Sequence, residues 1–124
     1  MNSTRDRGNE AEDLAVQHLE EKGYRILERN WYSHHHELDI IAQKDGLVAI
    51  VEVRSLSKNY FQEPYQSVNR NKQRLIISAA NAYIRRTGLN DEVRFDIISI
   101  ITGSTPPQIE HIENAFYPQL KNYR

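Results

Sequence analysis

The stretch from His35 to Leu56, HHELDIIAQKDGLVAIVEVRSL, constrains the fold more than any other part of the chain. Leu38 to Gln43 and Leu47 to Val53 are rich in Ile and Val, and Asp45-Gly46 between them is a two-residue hairpin signal. With those two residues at the turn, Lys44 pairs with Leu47, Ile41 with Ile50, Asp39 with Glu52 and Glu37 with Arg54. Opposed residues share a face and side chains alternate along each strand. One face is then expected to carry Glu37, Asp39, Glu52 and Arg54 as a charged rectangle. The other, with Leu38, Ile40, Ala42, Ala49, Val51 and Val53, reads as core.

The rectangle places two carboxylates, Asp39 and Glu52, roughly 5 Å apart as a repulsive cross-strand pair. Burial beside Ile41 and Ile50 would strengthen that repulsion. A hard divalent cation bridging the oxygens would offset it. The plainer alternative is a solvent-facing sheet surface, with Glu37–Arg54 an ordinary ion pair contributing about 0.2–1 kcal/mol.

Composition narrows what surrounds the hairpin. The chain has 124 residues, enough to bury a core and expected to form one domain over 1–124, with 1–7 and 118–124 flexible. Its 39% hydrophobic and 27% charged residues fit a soluble globular protein. There is no cysteine, which excludes disulfides and thiolate metal sites. Neither a membrane-length apolar run nor a signal-peptide core is present, so the expectation is a cytoplasmic protein with no membrane partner. A net charge of −1 leaves any DNA contact to local patches.

Gly8 to Lys22 has helical periodicity, with Ala11, Leu14, Ala15, Val16 and Leu19 on its apolar stripe and Gly23 as a stop. Glu12 falls inside that stripe, where an unpaired carboxylate is unfavourable. His18 also lies inward and is expected to be a hydrogen-bonded packing residue. Tyr24 to Tyr32 reads as a strand. The run His34-His35-His36 invites zinc, but neighbours on an extended chain point in alternating directions and no matching ligand set follows. Ser55 to Gln66 reads as a connecting loop. Ser67 is the expected N-cap of a helix to Arg86, stopped near Gly88, with Val68, Leu75, Ile76, Ala79, Ala82 and Tyr83 buried. Lys72 lies within that stripe, where a cation calls for an acidic partner or a phosphate. Arg70, Arg74 and Arg85 lie on the opposite face and are candidate, weak nucleic-acid contacts. Glu92 to Ile101 reads as a two-sided strand and Gln108 to Phe116 as a final edge strand.

The order helix, three strands, helix, strand, edge strand is an α/β layout with a mixed sheet flanked by helices. Glu12, the Asp39/Glu52 pair, Arg54 and Lys72 do not fit as plain core, and one cluster around a metal would accommodate them all. The sequence also resembles the YraN-like uncharacterised family, which is placed in the restriction-endonuclease-like superfamily and related to Holliday-junction resolvases. The matching residues run from Gly8 with Ala11-Glu12 through Gly23-Tyr24, Ile26-Leu27, Arg29-Asn30 and Glu37 to Ala42. They continue through Val51-Glu52-Val53, Pro64, Ser67-Val68, Lys72, Leu75 and Arg94-Phe95-Asp96. The resemblance implies a restriction-endonuclease-like core in which Glu12, Asp39 and Glu52 hold Mg²⁺ (or Mn²⁺), with Arg54 standing where the family usually has Lys. His36 replaces a usual Gly, and Leu56 stands where a basic residue is common. Arg keeps the positive charge but cannot give up a proton, which excludes a base role.

The expected function is a metal-dependent endonuclease acting on DNA, with branched structures as candidate substrates and a homodimer as the candidate assembly. Asp39, Glu52, Arg54 and Lys72 are its expected catalytic residues, with Glu37 supporting. The alternative is a non-catalytic DNA-binding or assembly protein that retains the nuclease fold.

Overall fold

The structure is a computed structural model that describes residues 4–33, 36–57 and 68–118. Helix α1 spans Thr4–Glu21, strands β1 Arg25–Tyr32, β2 Glu37–Lys44 and β3 Leu47–Ser57, helix α2 Arg70–Thr87, and strands β4 Glu92–Thr102 and β5 Gln108–Phe116. The five strands form one sheet in the order β1-β2-β3-β4-β5. The β3–β4 pair is parallel and the other three pairs are antiparallel, so the sheet is mixed. The α/β layout read from the sequence is therefore the observed one.

The hairpin turn explains much of this order. Asp45 and Gly46 both adopt positive φ, 51° and 79°, the conformation a two-residue turn of matching twist requires. The ladder then runs from Lys44–Leu47 through Ile41–Ile50 to Ile40–Val51, as counting from the turn predicts. Because β3 pairs with β4 in parallel, the chain must cross over, and α2 lies in that crossover. Its N-cap is Asn69, whose side chain accepts from the Lys72 amide, and Gly88 closes its C-terminus in the left-handed region. The expected cap, Ser67, lies outside the described residues, as do His34, His35, residues 58–66 of the expected loop, and 1–3 and 119–124 of the expected flexible ends. Thr4 to Arg7, expected to be flexible, belong to α1.

Both faces of the sheet are core. Ile41, Val48, Ile50, Phe95 and Ile97 pack with Ile76, Ala79, Ala80 and Tyr83 of α2. Ile40, Ala42, Ala49, Val51, Ile98 and Ile100 pack with Ala11, Ala15 and Leu19 of α1. Leu75 and Ala82, expected in the buried face of α2, are only half-buried. No helix among the described residues is long and apolar enough to cross a membrane.

One irregularity shapes the site. Ile40 belongs to the α1 side, but Leu38 belongs to the α2 side, so the alternation of β2 breaks at Asp39. The expected grouping of Leu38 with Ile40 and Ala42 is therefore corrected. Its neighbour β1 breaks at the same level. Asn30 has φ 54°, Arg29 is paired with Ile40, and Trp31 is paired with Leu38 and packs on the α2 side. A left-handed residue in a strand reorients the side chains that follow it.

Candidate metal centre at the hairpin fork

The β2–β3 ladder ends at Ile40–Val51, just before the expected Asp39–Glu52 and Glu37–Arg54 pairs. Where the strands part, the Val53 amide donates to Asp39 Oδ2 at 2.9 Å instead of to a strand carbonyl. Asp39 thus caps the end of the ladder with its side chain. Glu37 turns out to be exposed at the start of β2, aligned with Tyr32, and the expected Glu37–Arg54 ion pair is not formed. Arg54 faces Glu52 instead, with Nη1 3.5 Å from Oε2. Same-face neighbours two apart on one strand can meet this way once the partner strand diverges.

Glu52 is only 6% exposed and sits on the α2 side of β3, in phase with Val48 and Ile50. Lys72, in the first turn of α2, reaches it at 2.7 Å. The cation in the apolar stripe of α2 therefore meets a buried carboxylate, and that carboxylate has two cations against it. Asp39 is less well provided. Burial, then the nearby Glu52 charge, push its pKa up to about 7 from 3.8; the Val53 amide and Lys72 offset only part of that, and Glu12 adds a little more repulsion. Asp39 is held in a field that disfavours its own charge.

Glu12, 9% exposed on α1, turns inward as its helical phase indicates. Its Oε1 accepts from Asn30 Nδ2 at 3.0 Å and from Arg29 Nη2 at 3.3 Å. The left-handed turn at Asn30 is what brings that amide to α1. Asp13 stays exposed and accepts from the same Arg29 Nη2 at 2.8 Å. Glu12 is close enough to Asp39 to affect it, yet its charge is already engaged. Among the described residues, no three carboxylate or imidazole groups are arranged to hold one ion. Asp39 and Glu52 act on each other at the fork, while Glu12 acts on Asp39 from its bonds to Arg29 and Asn30.

The chemistry of that pair suits a hard cation. Two oxygen donors with unbalanced repulsion would be relieved by it, and Mg²⁺ commonly keeps several waters and takes only one or two carboxylates. Ser99 adds an independent sign of an unfilled polar site. It is 0% exposed, its hydroxyl has no hydrogen-bond partner among the described residues, and it lies beside Arg54 in the β3–β4 register. Alternation with Phe95 and Ile97 puts it on the same side as Glu52. Buried hydroxyls are ordinarily bonded. A serine in an apolar strand gives no hint of this from sequence, since the register across β3 is what places it.

A second buried polar group occupies the α1 side. Asp96 is 0% exposed and accepts from Arg94 Nη2 at 2.7 Å, Arg94 Nε at 2.8 Å and the Asn114 amide at 3.0 Å. It also meets His111 Nε2 at 2.8 Å, and His111 Nδ1 lies 3.3 Å from His18 Nε2. Arg94 Nη2 further donates to the Tyr24 hydroxyl at 2.6 Å. Burial pushes Asp96 up, but the bonds from His111, Arg94 and Asn114 outweigh it and leave the pKa below the ordinary value. His18 is held below 6.5, first by burial and then by the His111 and Lys22 charges. The inward His18 is a packing residue within this network. The sequence signal for Asp96 was present: it is the one charged residue in the run Phe95–Ile101.

The fold and fork define an α/β protein with a mixed sheet and a strained acidic pair where its hairpin opens. The family is shown by comparison: residues 11–100 match the model of the uncharacterised protein family UPF0102. The chain is 43% identical over 112 residues to a UPF0102 protein of Parabacteroides distasonis, covering 90% of this chain and 93% of that one. It is 42% identical over 113 residues to one of Bacteroides thetaiotaomicron (91% and 93%), and 45% identical over 111 residues to one of Persephonella marina (89% and 92%). The chain belongs to the UPF0102 family, the YraN-like family that its motifs resemble.

Proposed function

We propose that this protein is a metal-dependent phosphodiesterase of the endonuclease type, with a restriction-endonuclease-like core, acting on DNA in the cytoplasm and with branched structures among its substrates. The observation that carries the reading is Asp39, a carboxylate pushed up to about 7 by burial and by Glu52, beside two cations that can face a phosphate. Asp39 and Glu52 would hold Mg²⁺ or Mn²⁺, with Glu12 acting through its field or a bridging water. A bound cation of this kind neutralises charge on a scissile phosphate and lowers the pKa of a coordinated water.

The chain's own residues divide the remaining work. Val53 fixes the Asp39 carboxylate through its amide, so one oxygen stays aimed into the fork. Lys72 and Arg54 already sit against Glu52, and both can shift toward a phosphate oxygen once Glu52 has another cation beside it. There they would stabilise the charge that develops during displacement. Arg54 does so without exchanging a proton.

The second reading, a DNA-binding or assembly protein without turnover, is favoured by a specific observation: no three-ligand shell exists among the described residues, and Lys72 already neutralises Glu52. One experiment separates them. Labelled duplex and four-way-junction DNA are incubated with Mg²⁺ or Mn²⁺, using the parent, Asp39→Asn and Arg54→Lys. The enzyme reading expects metal-dependent cleavage that Asp39→Asn abolishes and Arg54→Lys raises. Metal-independent binding with no cleavage in any variant selects the binding protein.

A further inference from the structure

Helix α2 carries Arg70, Lys72, Arg74, Arg85 and Arg86 and no acidic residue, in a chain whose net charge is −1. Lys72 is committed to Glu52. The four arginines form no ion pair among the described residues, and they border two grooves. One, of about 530 Å³, lies between the N-terminal half of α2 and the segment after β5, with Arg70, Arg74, Ile77 and Asn81 on one wall and Tyr117 and Pro118 on the other. The second, of about 710 Å³, brings Arg85 and Arg86 against Trp31 and Tyr32. Tyr117 and Tyr32 are 66% and 70% exposed, while most other large hydrophobic side chains are covered.

Each groove thus combines a pair of unneutralised guanidinium groups with an aromatic ring left in solvent. Guanidinium groups follow a phosphate backbone, and an exposed ring offers a stacking surface to a base that has left its own stack. A base-paired duplex presents phosphates but no open base face, so the tyrosines would have nothing to hold. Lys72 turns to Glu52 on the buried side of α2, so this groove runs along the outward face of the same helix turn.

We infer that the Arg70/Arg74/Tyr117 groove of α2 binds single-stranded DNA, with phosphates on the arginines and a base stacked on Tyr117. The inference rests on the phosphodiesterase reading for its choice of DNA as the nucleic acid. It does not rest on turnover. The arginines account for affinity that falls with salt, and Tyr117 for a preference that survives salt.

The test is fluorescence anisotropy of labelled oligo-dT, a matched duplex and oligo-rU, with the full chain in EDTA so that cleavage cannot intervene. Oligo-dT should bind more tightly than the duplex. Tyr117→Ala should weaken oligo-dT binding about tenfold at every salt concentration, and Tyr117→Phe should retain it. Arg74→Ala should weaken binding and reduce the salt slope by about 0.7. Tyr117 and Arg74 are exposed, so neither substitution threatens the fold. Equal or tighter duplex binding, tighter oligo-rU binding, or no response to Tyr117→Ala would each overturn the inference. Oligo-dT binding that persists in a protein with no metal-dependent cleavage leaves the groove standing and removes the enzyme. Cleavage without this binding does the reverse.

Discussion

Two aspartates on opposite sides of the same sheet show that burial alone does not decide the state of a carboxylate. Burial raises both, yet the pKa of Asp96 lies below the ordinary value while that of Asp39 is pushed up to about 7. The difference is in the partners. Asp96 has a guanidinium, an imidazole and a backbone amide around it. Asp39 has one amide, and the charge that acts on it most strongly is another carboxylate, Glu52, which the Lys72 charge offsets only in part. A fully bonded buried charge is structural, whereas an underprovided one is poised for a ligand.

The largest expected effect tests the structural half of this contrast. Asp96→Ala leaves Arg94 and His111 without their acceptor and should destabilise the fold by about 3–5 kcal/mol, as when one partner of a buried ion pair is removed. Urea unfolding gives the number. A stability unchanged or raised, as expected for Asp39→Asn, would erase the distinction between the two sites.

Next comes the response to metal. Only a ligand that binds the native state stabilises it, by about 2.7 kcal/mol when present at a hundred times its Kd. Mg²⁺ or Mn²⁺ should therefore raise the Tm of the parent and leave Asp39→Asn unmoved. Identical shifts in both would place the ion elsewhere.

Stability against pH should show the two aspartates pulling in opposite directions. The folded pKa of Asp39 is raised, so the stability associated with its proton is present below about 4 and is lost as pH rises through about 7. The folded pKa of Asp96 is lowered, so its contribution is present above 3.8 and is lost as pH falls through the folded value. His18, also lowered, adds to the acid side: stability falls below 6.5 as the unfolded chain takes up a proton that the folded one refuses. Asp39→Asn keeps an oxygen for the Val53 amide and removes the charge, so without metal it should match or exceed the parent near neutrality by about 0.5–2 kcal/mol. Its Tm should lose the decline between pH 4 and 7. A mutant profile that still declines there would assign the effect to another group.

The smallest effect concerns Glu37, exposed and unpaired with Arg54. Glu37→Gln should change stability by less than about 0.5 kcal/mol. A larger loss in chemical denaturation would restore it to the site.

Much of this was legible in the residues alone. Asp45-Gly46 determined the turn, and the turn determined five consecutive ladder pairs from Lys44–Leu47 to Ile40–Val51, because local backbone preferences act over a few residues. The final strand, Gln108–Phe116, follows from its flanking prolines and its apolar residues in the same local way. Helical phase was enough to turn Glu12 and Lys72 inward, since the 3.6-residue repeat needs no knowledge of what lies opposite. What lies opposite was decided only in three dimensions. The hairpin opens at Asp39 because Asn30, on a different strand, takes a left-handed conformation there and because the Asp39 side chain replaces a ladder bond. Counting from a turn cannot register either. Ser99 reaches Arg54, and Asp96 reaches His111, through strand pairings that join residues 45 and 15 apart in number. Such contacts depend on which strand becomes whose neighbour, a choice set by burying two sheet faces at once. For that reason the sequence by itself named the acidic pair, and the tertiary structure decided which carboxylate is satisfied and which is left short of partners.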